Sequence, residues 1–115
     1  MLDIDRVSEA INALGGNYTK FINITLESIN QCVESIEQSI ADEDYDALAR
    51  GAHKLKGLAG TVGAPEVMEL CKKIENEATT NNLEMVMDQY KYLLIAVEKL
   101  EFELKKVSLS SMHHA

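Results

Sequence analysis

The pattern of apolar and polar positions predicts an all-α chain of five helices. Apolar residues recur at spacings of three and four, which gives a helix one apolar face, in five segments separated by short polar or glycine-containing stretches. The first helix is predicted from Leu2 to about Leu14, where Gly15 and Gly16 end it, and Asn17 caps a long second helix. The other three helices are predicted over residues 45–62, 65–78 and 83–107.

The apolar stripes of these segments predict one shared core. Their members are Ile4, Val7, Ile11, Leu14; Phe21, Ile22, Leu26, Ile29, Val33, Ile36, Ile40; Leu48, Ala52, Leu55, Ala59, Val62; Val67, Leu70, Cys71, Ile74, Ala78; Val86, Tyr90, Leu93, Leu94, Val97, Leu100 and Leu104. Short connections favour antiparallel neighbours. We therefore predict an antiparallel up-down four-helix bundle with a short additional N-terminal helix.

The chain divides into a bundle domain over residues 1–107 and a tail over residues 108–115. The tail has no apolar periodicity, so we expect it to be disordered, and we assign His113 and His114 to it rather than to a metal site. Cys32 and Cys71 both lie on apolar stripes and are expected to be small buried residues without a disulfide, as in a reducing cytoplasm.

Charge restricts the classes of partner. The net charge is −8, which argues against binding of nucleic acid or of an anionic membrane surface, and no apolar run has the roughly 20 residues of a membrane span. Residues 50–73 nevertheless carry five basic and only two acidic side chains. This basic island (Arg50, Lys54, Lys56, Lys72 and Lys73) surrounds the only histidine outside the tail, His53.

Four of the six glycines also lie beside His53, in the segment ARGAHKLKGLAGTVGA. A helical projection places His53 about 130° from the middle of the apolar arc of the third helix, and Gly57 and Gly60 within roughly 40° of His53. Each glycine inside a helix costs about 0.5–1 kcal/mol relative to alanine. We expect this cost to keep the surface beside an exposed imidazole clear for a partner protein.

An exposed imidazole beside a lysine suits group transfer. Neutral imidazole is a good nucleophile near pH 7, and a covalent histidine adduct is an established form of catalysis. If the adduct is a phosphoryl group, Lys56 can place a positive charge on its oxygens. The same residues also fit an ordinary surface histidine with glycines that permit close helix packing, and the pattern alone leaves the chemistry open.

The stretch Ala52 to Gly63, AHKLKGLAGTVG, resembles the signature of histidine-containing phosphotransfer (HPt) domains, A-H-x-L-K-G-x-[AS]-x-x-[IVL]-G. The following helix, VMELCKKIE, resembles the L-C-x-x-[IL]-E pattern of the same family. The resemblance implies a four-helix bundle in which His53 accepts a phosphoryl group and Lys56 stabilises it. It further implies that Gly57 and Gly60 face the docking partner. The basic island adds Arg50 and Lys54 to this docking surface, where they can attract an acidic partner. Some relatives place a glutamine near the histidine, and here either Lys72 or Glu75 occupies that neighbourhood.

The resemblance also implies the partners. Receiver domains would supply and accept the phosphoryl group through an aspartate and a bound Mg²⁺, while this chain, a cytoplasmic monomer, would bind no metal, nucleotide or other cofactor and would have no autokinase activity. It would serve as a free-standing shuttle or as a module beside the kinase core of a hybrid sensor histidine kinase. The alternative is a noncatalytic helical adaptor, or an HPt-like module whose histidine is not phosphorylated. A third alternative, a bundle with a metal site, does not fit the spacing, because this chain has no Glu-x-x-His pair that faces inward.

Overall fold

The computed structural model describes residues 3–13 and 17–113. Within these residues the chain forms five helices and no strand. They are α1 (Ile4–Ala13), α2 (Tyr18–Ala41), α3 (Tyr45–Val62), α4 (Pro65–Thr79) and α5 (Leu83–His113). The all-α prediction is confirmed.

The helices α2 to α5 form the bundle, and α1 lies against it. Each of α2, α3 and α4 packs against the next helix in the chain, and α5 packs back against α2, which closes the bundle. The additional helix α1 packs mainly against α3 and also touches α2. This is the predicted four-helix bundle with a short extra helix at the N-terminus.

The ends of the helices follow from local sequence. The side chain of Asn17 accepts a hydrogen bond from the backbone N–H of Lys20, and Asp44 does the same for Ala47, so each caps the helix that follows. Gly63 ends α3 in the left-handed conformation (φ 66°) that glycine adopts without strain. Pro65 then starts α4 at a position where its missing N–H costs no hydrogen bond.

One apolar core runs through the bundle. Nearly all described members of the predicted stripes are buried or packed against it, and Ile36, Leu55, Cys71 and Leu93 are fully buried. Leu94 is the exception: it is 40% exposed, and its predicted place in the core is wrong. Ala96 of α5 is buried instead of Leu94. The reason is that α2 and α4 both pack against α5 and cover the face of this helix that includes Ala96.

One predicted boundary differs from the structure, and another lies outside the described residues. The last helix was expected to end near Val107, but α5 continues to His113, because the segment from 108 to 113 contains no glycine or proline to end it. The predicted helix stop at Gly15 and Gly16, together with Leu2, Leu14 and His114, lies outside the described residues, as do the side chains of Ile4, Ile11 and His113.

Candidate functional site

His53 lies on the water-facing side of α3. The arc predicted to face the core (Leu48, Ala52, Leu55, Ala59 and Val62) is buried in full. The side chain of His53 points the other way and is 71% exposed. The helical projection therefore gave the orientation of the histidine correctly.

Glu75 of α4 connects His53 to Lys56. Its Oε2 lies 3.2 Å from Nδ1 of His53, and its Oε1 accepts a hydrogen bond of 2.6 Å from Nζ of Lys56. His53 and Lys56 are three residues apart and so lie on one side of α3, where a single carboxylate from the neighbouring helix reaches both. Of the two candidates that the sequence left open, Glu75 and not Lys72 contacts the imidazole.

The carboxyl group of Glu75 is held in its ionised form. Partial burial by itself raises the pKa of Glu75. The hydrogen bond and the charge of Lys56, followed by those of His53, outweigh this effect, so the pKa of Glu75 is lowered below its usual value. The carboxylate is therefore a hydrogen-bond acceptor at neutral pH.

This carboxylate determines which nitrogen of a neutral His53 ring is free. Because an ionised carboxylate can only accept hydrogen bonds, the nitrogen that faces it, Nδ1, must carry the proton. The lone pair of the neutral ring then lies on Nε2. Among the described residues, none forms a hydrogen bond with Nε2. The nucleophilic atom is thus open to an approaching molecule.

Gly57 leaves the surface beside His53 bare. A Cβ atom added at Gly57 would have no neighbouring atom within 4 Å. Gly60 is only partly exposed, and an added Cβ would lie 3.6 Å from Cε of Met68, a residue of α4 that is itself 36% exposed. Gly57 therefore leaves the larger gap on this face.

A shallow groove of about 300 Å³ adjoins Gly60. Helix α1 forms one side of the groove and is attached to the end of α3, because Arg6 donates a hydrogen bond of 3.2 Å to the carbonyl of Gly60 and the N–H of Asp3 donates one of 2.9 Å to Gly63. An added Cβ at Gly63 would collide with Asp3. The sequence gave no indication of this contact, because α1 and α3 are far apart in the chain.

The basic island lies largely in solvent. Arg50, Lys54, Lys72 and Lys73 are all exposed, whereas Lys56 is held against Glu75 with its side chain 30% exposed. The exposed members of the island lie on α3, the helix of His53, and on α4, the helix of Glu75, in a chain whose net charge is −8. The island is suited to an anionic partner.

The two cysteines belong to the core and not to the site chemistry. Both are free and buried, as predicted. Burial, assisted by Cys32 and Glu75 and opposed by Lys56, raises the pKa of Cys71 to about 12, so this thiol stays protonated. The described residues contain no group of three or more histidine, cysteine or acidic side chains arranged to hold a metal ion. None of their helices is long and apolar enough to cross a membrane.

Comparison with known proteins identifies the family. The sequence profile of the Hpt domain matches residues 20–103, which is most of the chain and includes His53, Lys56 and Glu75. The chain belongs to the Hpt domain family. It is therefore a histidine-containing phosphotransfer module of phosphorelays, and the resemblance noted in the sequence is confirmed. No curated protein matches the chain.

Solved structures support the Hpt fold. Histidine-containing phosphotransfer protein B (HptB) from Pseudomonas aeruginosa PAO1 is similar with a TM-score of 0.86 and 17% identity, over 95% of each chain. The HPT domain of a sensor hybrid histidine kinase from Shewanella is similar with a TM-score of 0.73 and 24% identity, over 92% of each chain. The Hpt fold thus extends over nearly the whole length of this chain.

Proposed function

We propose that this Hpt domain is a phosphorelay intermediate in which His53 accepts a phosphoryl group from the aspartyl phosphate of one receiver domain and passes it to the aspartate of another. The observation that carries the proposal is the hydrogen-bonded arrangement at His53. Its Nδ1 faces Glu75 at 3.2 Å, so Nε2 is left with a lone pair on a side chain that is 71% exposed.

In the accepting step, Nε2 attacks the phosphorus atom in line with the acyl oxygen. The N–P bond forms while the P–O bond to the aspartate breaks, and the aspartate leaves as a carboxylate with the electron pair. The ring keeps its proton on Nδ1, where Glu75 accepts the hydrogen bond. In the donating step the N–P bond breaks, its electron pair returns to Nε2, and the second aspartate forms the new P–O bond.

The other residues serve positioning and charge. Lys56 supplies a cation for the equatorial oxygens, and Gly57 allows the surface of the receiver to approach the ring. Arg50 and Lys54 attract the acidic surface around the aspartate of the receiver. We expect the Mg²⁺ of the reaction on the receiver and no cofactor on this chain. The domain acts as a monomer, either free-standing or beside the kinase core of a hybrid sensor kinase like the one that carries the Shewanella HPT domain.

The direct test is transfer of label from a ³²P-phosphorylated receiver domain. We expect an acid-labile, base-stable label on the wild-type domain and none on His53→Gln. The matched control replaces both tail histidines, His113→Gln with His114→Gln, and should be labelled like the wild type. Binding of the receiver with no label on the wild-type domain would contradict the proposal and would instead indicate a noncatalytic adaptor.

A further inference from the structure

In the unphosphorylated protein, Lys56 already forms an ion pair with Glu75. Its Nζ lies 2.6 Å from Oε1 of Glu75, close enough for a strong ion pair. The Lys56 and Glu75 side chains are 30% and 25% exposed, so solvent screens their attraction less than that of a fully exposed pair. The cation that should stabilise the phosphoryl group is therefore held by a carboxylate.

We propose that Glu75 sets the reactivity of phosphorylated His53 by competing with the phosphoryl group for Lys56. This inference rests on the proposed function. Glu75 is here a positioning residue, because it acts through Lys56 and does not itself touch the phosphorus atom.

The charges of the site show why the competition destabilises the phosphorylated form. Before transfer, when the ring is in its neutral, nucleophilic form, the carboxylate of Glu75 and the ammonium of Lys56 balance each other. A phosphoryl group adds a charge of about −1.5 to −2 at neutral pH. Even when the phosphorylated ring carries a positive charge with its proton on Nδ1, one lysine then faces two anionic groups. The phosphorylated site thus carries more negative than positive charge. This imbalance destabilises the N–P bond and favours transfer of the phosphoryl group to the next aspartate.

The competition requires only that the side chain of Lys56 moves from Glu75 towards the phosphoryl group. Lys56 and His53 lie three residues apart on α3, and Glu75 reaches both from α4. The phosphoryl group on Nε2 would lie on the side of the ring away from Glu75, since Nδ1 faces that residue. Lys56 must therefore give up part of its contact with Glu75 to reach the phosphoryl oxygens.

Replacing Glu75 with glutamine removes the competing charge while keeping a side-chain oxygen that can accept the Nδ1 hydrogen bond. We expect phosphorylated Glu75→Gln to lose its phosphoryl group about three- to fivefold more slowly than the wild type. The matched control is Glu69→Gln, which removes one exposed carboxylate from the same helix and should behave like the wild type.

The experiment labels each protein with phosphoramidate, a small donor that phosphorylates histidine without a receiver. The excess donor is then removed, and the decay of the phosphohistidine signal is followed by ³¹P NMR at neutral pH. A longer lifetime in Glu75→Gln but not in Glu69→Gln supports the inference. A lifetime equal to or shorter than that of the wild type overturns it, because Glu75 would then have no effect or would stabilise the phosphorylated ring.

A double-mutant cycle separates competition for Lys56 from simple repulsion by Glu75. If Glu75 acts through Lys56, the effect of Glu75→Gln should largely disappear in the Lys56→Ala background. An effect of equal size with and without Lys56 would overturn the proposed competition. Circular dichroism of each variant shows that its helices are intact.

The outcomes also distinguish this inference from the proposed function. If phosphoramidate labels the wild type but no phosphorylated receiver does, the proposed function fails while the lifetimes still test Glu75. If receivers do label His53 and Glu75→Gln leaves the lifetime unchanged, only the inference fails. If neither phosphoramidate nor a phosphorylated receiver labels the protein, both the inference and the proposed function are overturned.

Discussion

At the level of single residues, the chemistry of the site depends on the contacts of one carboxylate. Glu75 accepts from Lys56 at 2.6 Å and faces Nδ1 of His53 at 3.2 Å. The first contact fixes the position of a long, flexible side chain, and the second leaves Nε2 as the free nitrogen of the neutral ring. Two substitutions test whether the residues around Nε2 have the roles proposed for them.

The first substitution is Lys56→Ala. We expect it to lower the rate of phosphoryl transfer from a receiver about ten- to hundredfold without abolishing it, because one charged hydrogen-bond donor is lost while the nucleophile stays. Rapid-quench measurement of initial rates checks this. Lys91→Ala, on the exposed face of α5, is the control for loss of a positive charge. If Lys56→Ala accepts the phosphoryl group at the wild-type rate, Lys56 has no role in the transfer.

The second substitution is Gly57→Gln, which separates folding from function. An added side chain meets no atom within 4 Å in the free protein, so it should leave the free energy of unfolding unchanged or raise it by up to about 1 kcal/mol. Transfer should be blocked because the side chain occupies the space that the receiver needs. Thermal unfolding and label transfer on the same sample give both values. A stable variant that transfers at the wild-type rate would refute the proposed role of this glycine.

The sequence predicted the direction of His53 but not its contact. The orientation depends only on the period of one helix and the apolar residues on it, both of which can be read from Leu48 to Val62. The contact with Glu75 depends on how far α4 is shifted along α3, which the sequence of either helix alone does not specify. Opposite charge gave a usable signal, because a carboxylate and not Lys72 would be attracted to Lys56.

At the level of helices, the sequence predicted the boundaries accurately where a capping residue, a glycine or a proline marks the start or the end of a helix. Asn17 caps α2 as predicted, the helices predicted from residues 45 and 65 begin there, and Gly63 lies directly after the end of α3. The predicted end of α5 near Val107 is too early, because a helix can continue past the last residue of its apolar stripe. Leu94 was misplaced because its spacing fits a broad apolar stripe, and only the packing of α2 and α4 decides which part of that stripe is covered.

The contact between α3 and α4 at Glu75 should also make stability depend on pH. Because the pKa of Glu75 is lowered in the folded protein, folding favours its ionised form. The resulting stabilisation, about 1 kcal/mol, is fully present above the unfolded pKa of a glutamate, about 4.3, and is lost as the pH falls through the lower folded value. The wild type should therefore lose its advantage over Glu75→Gln on acidification.

Denaturant unfolding of the two proteins between about pH 5 and about pH 3 measures this difference. Glu69→Gln, from the exposed face of α4, controls for the general effect of removing an acidic side chain. A stability gap between the wild type and Glu75→Gln that stays constant over this range would show that the ion pair contributes nothing to folding.

At the level of the whole molecule, charge is distributed unevenly. The net charge is −8, yet the residues from 50 to 73 that include His53 carry more basic than acidic side chains. An acidic receiver is therefore repelled by most of the surface and attracted at the basic island. Such a distribution orients the partner before contact, and it affects the rate of association more than the lifetime of the complex.

This charge distribution leads to a prediction for Arg50 and Lys54, the two exposed cations of α3 nearest to His53. Replacing both with alanine should lower the association rate with a receiver about tenfold at low salt and should flatten its dependence on ionic strength, because the screening length is only about 10 Å at 0.1 M salt. Stopped-flow measurements over a salt series check both effects. The control is Lys91→Ala with Lys105→Ala on α5, which removes equal charge away from His53 and should slow association much less. If the control slows association equally, the total charge of the chain and not the basic island determines the association rate. If salt has no effect on association of the wild type, the basic island does not steer the receiver.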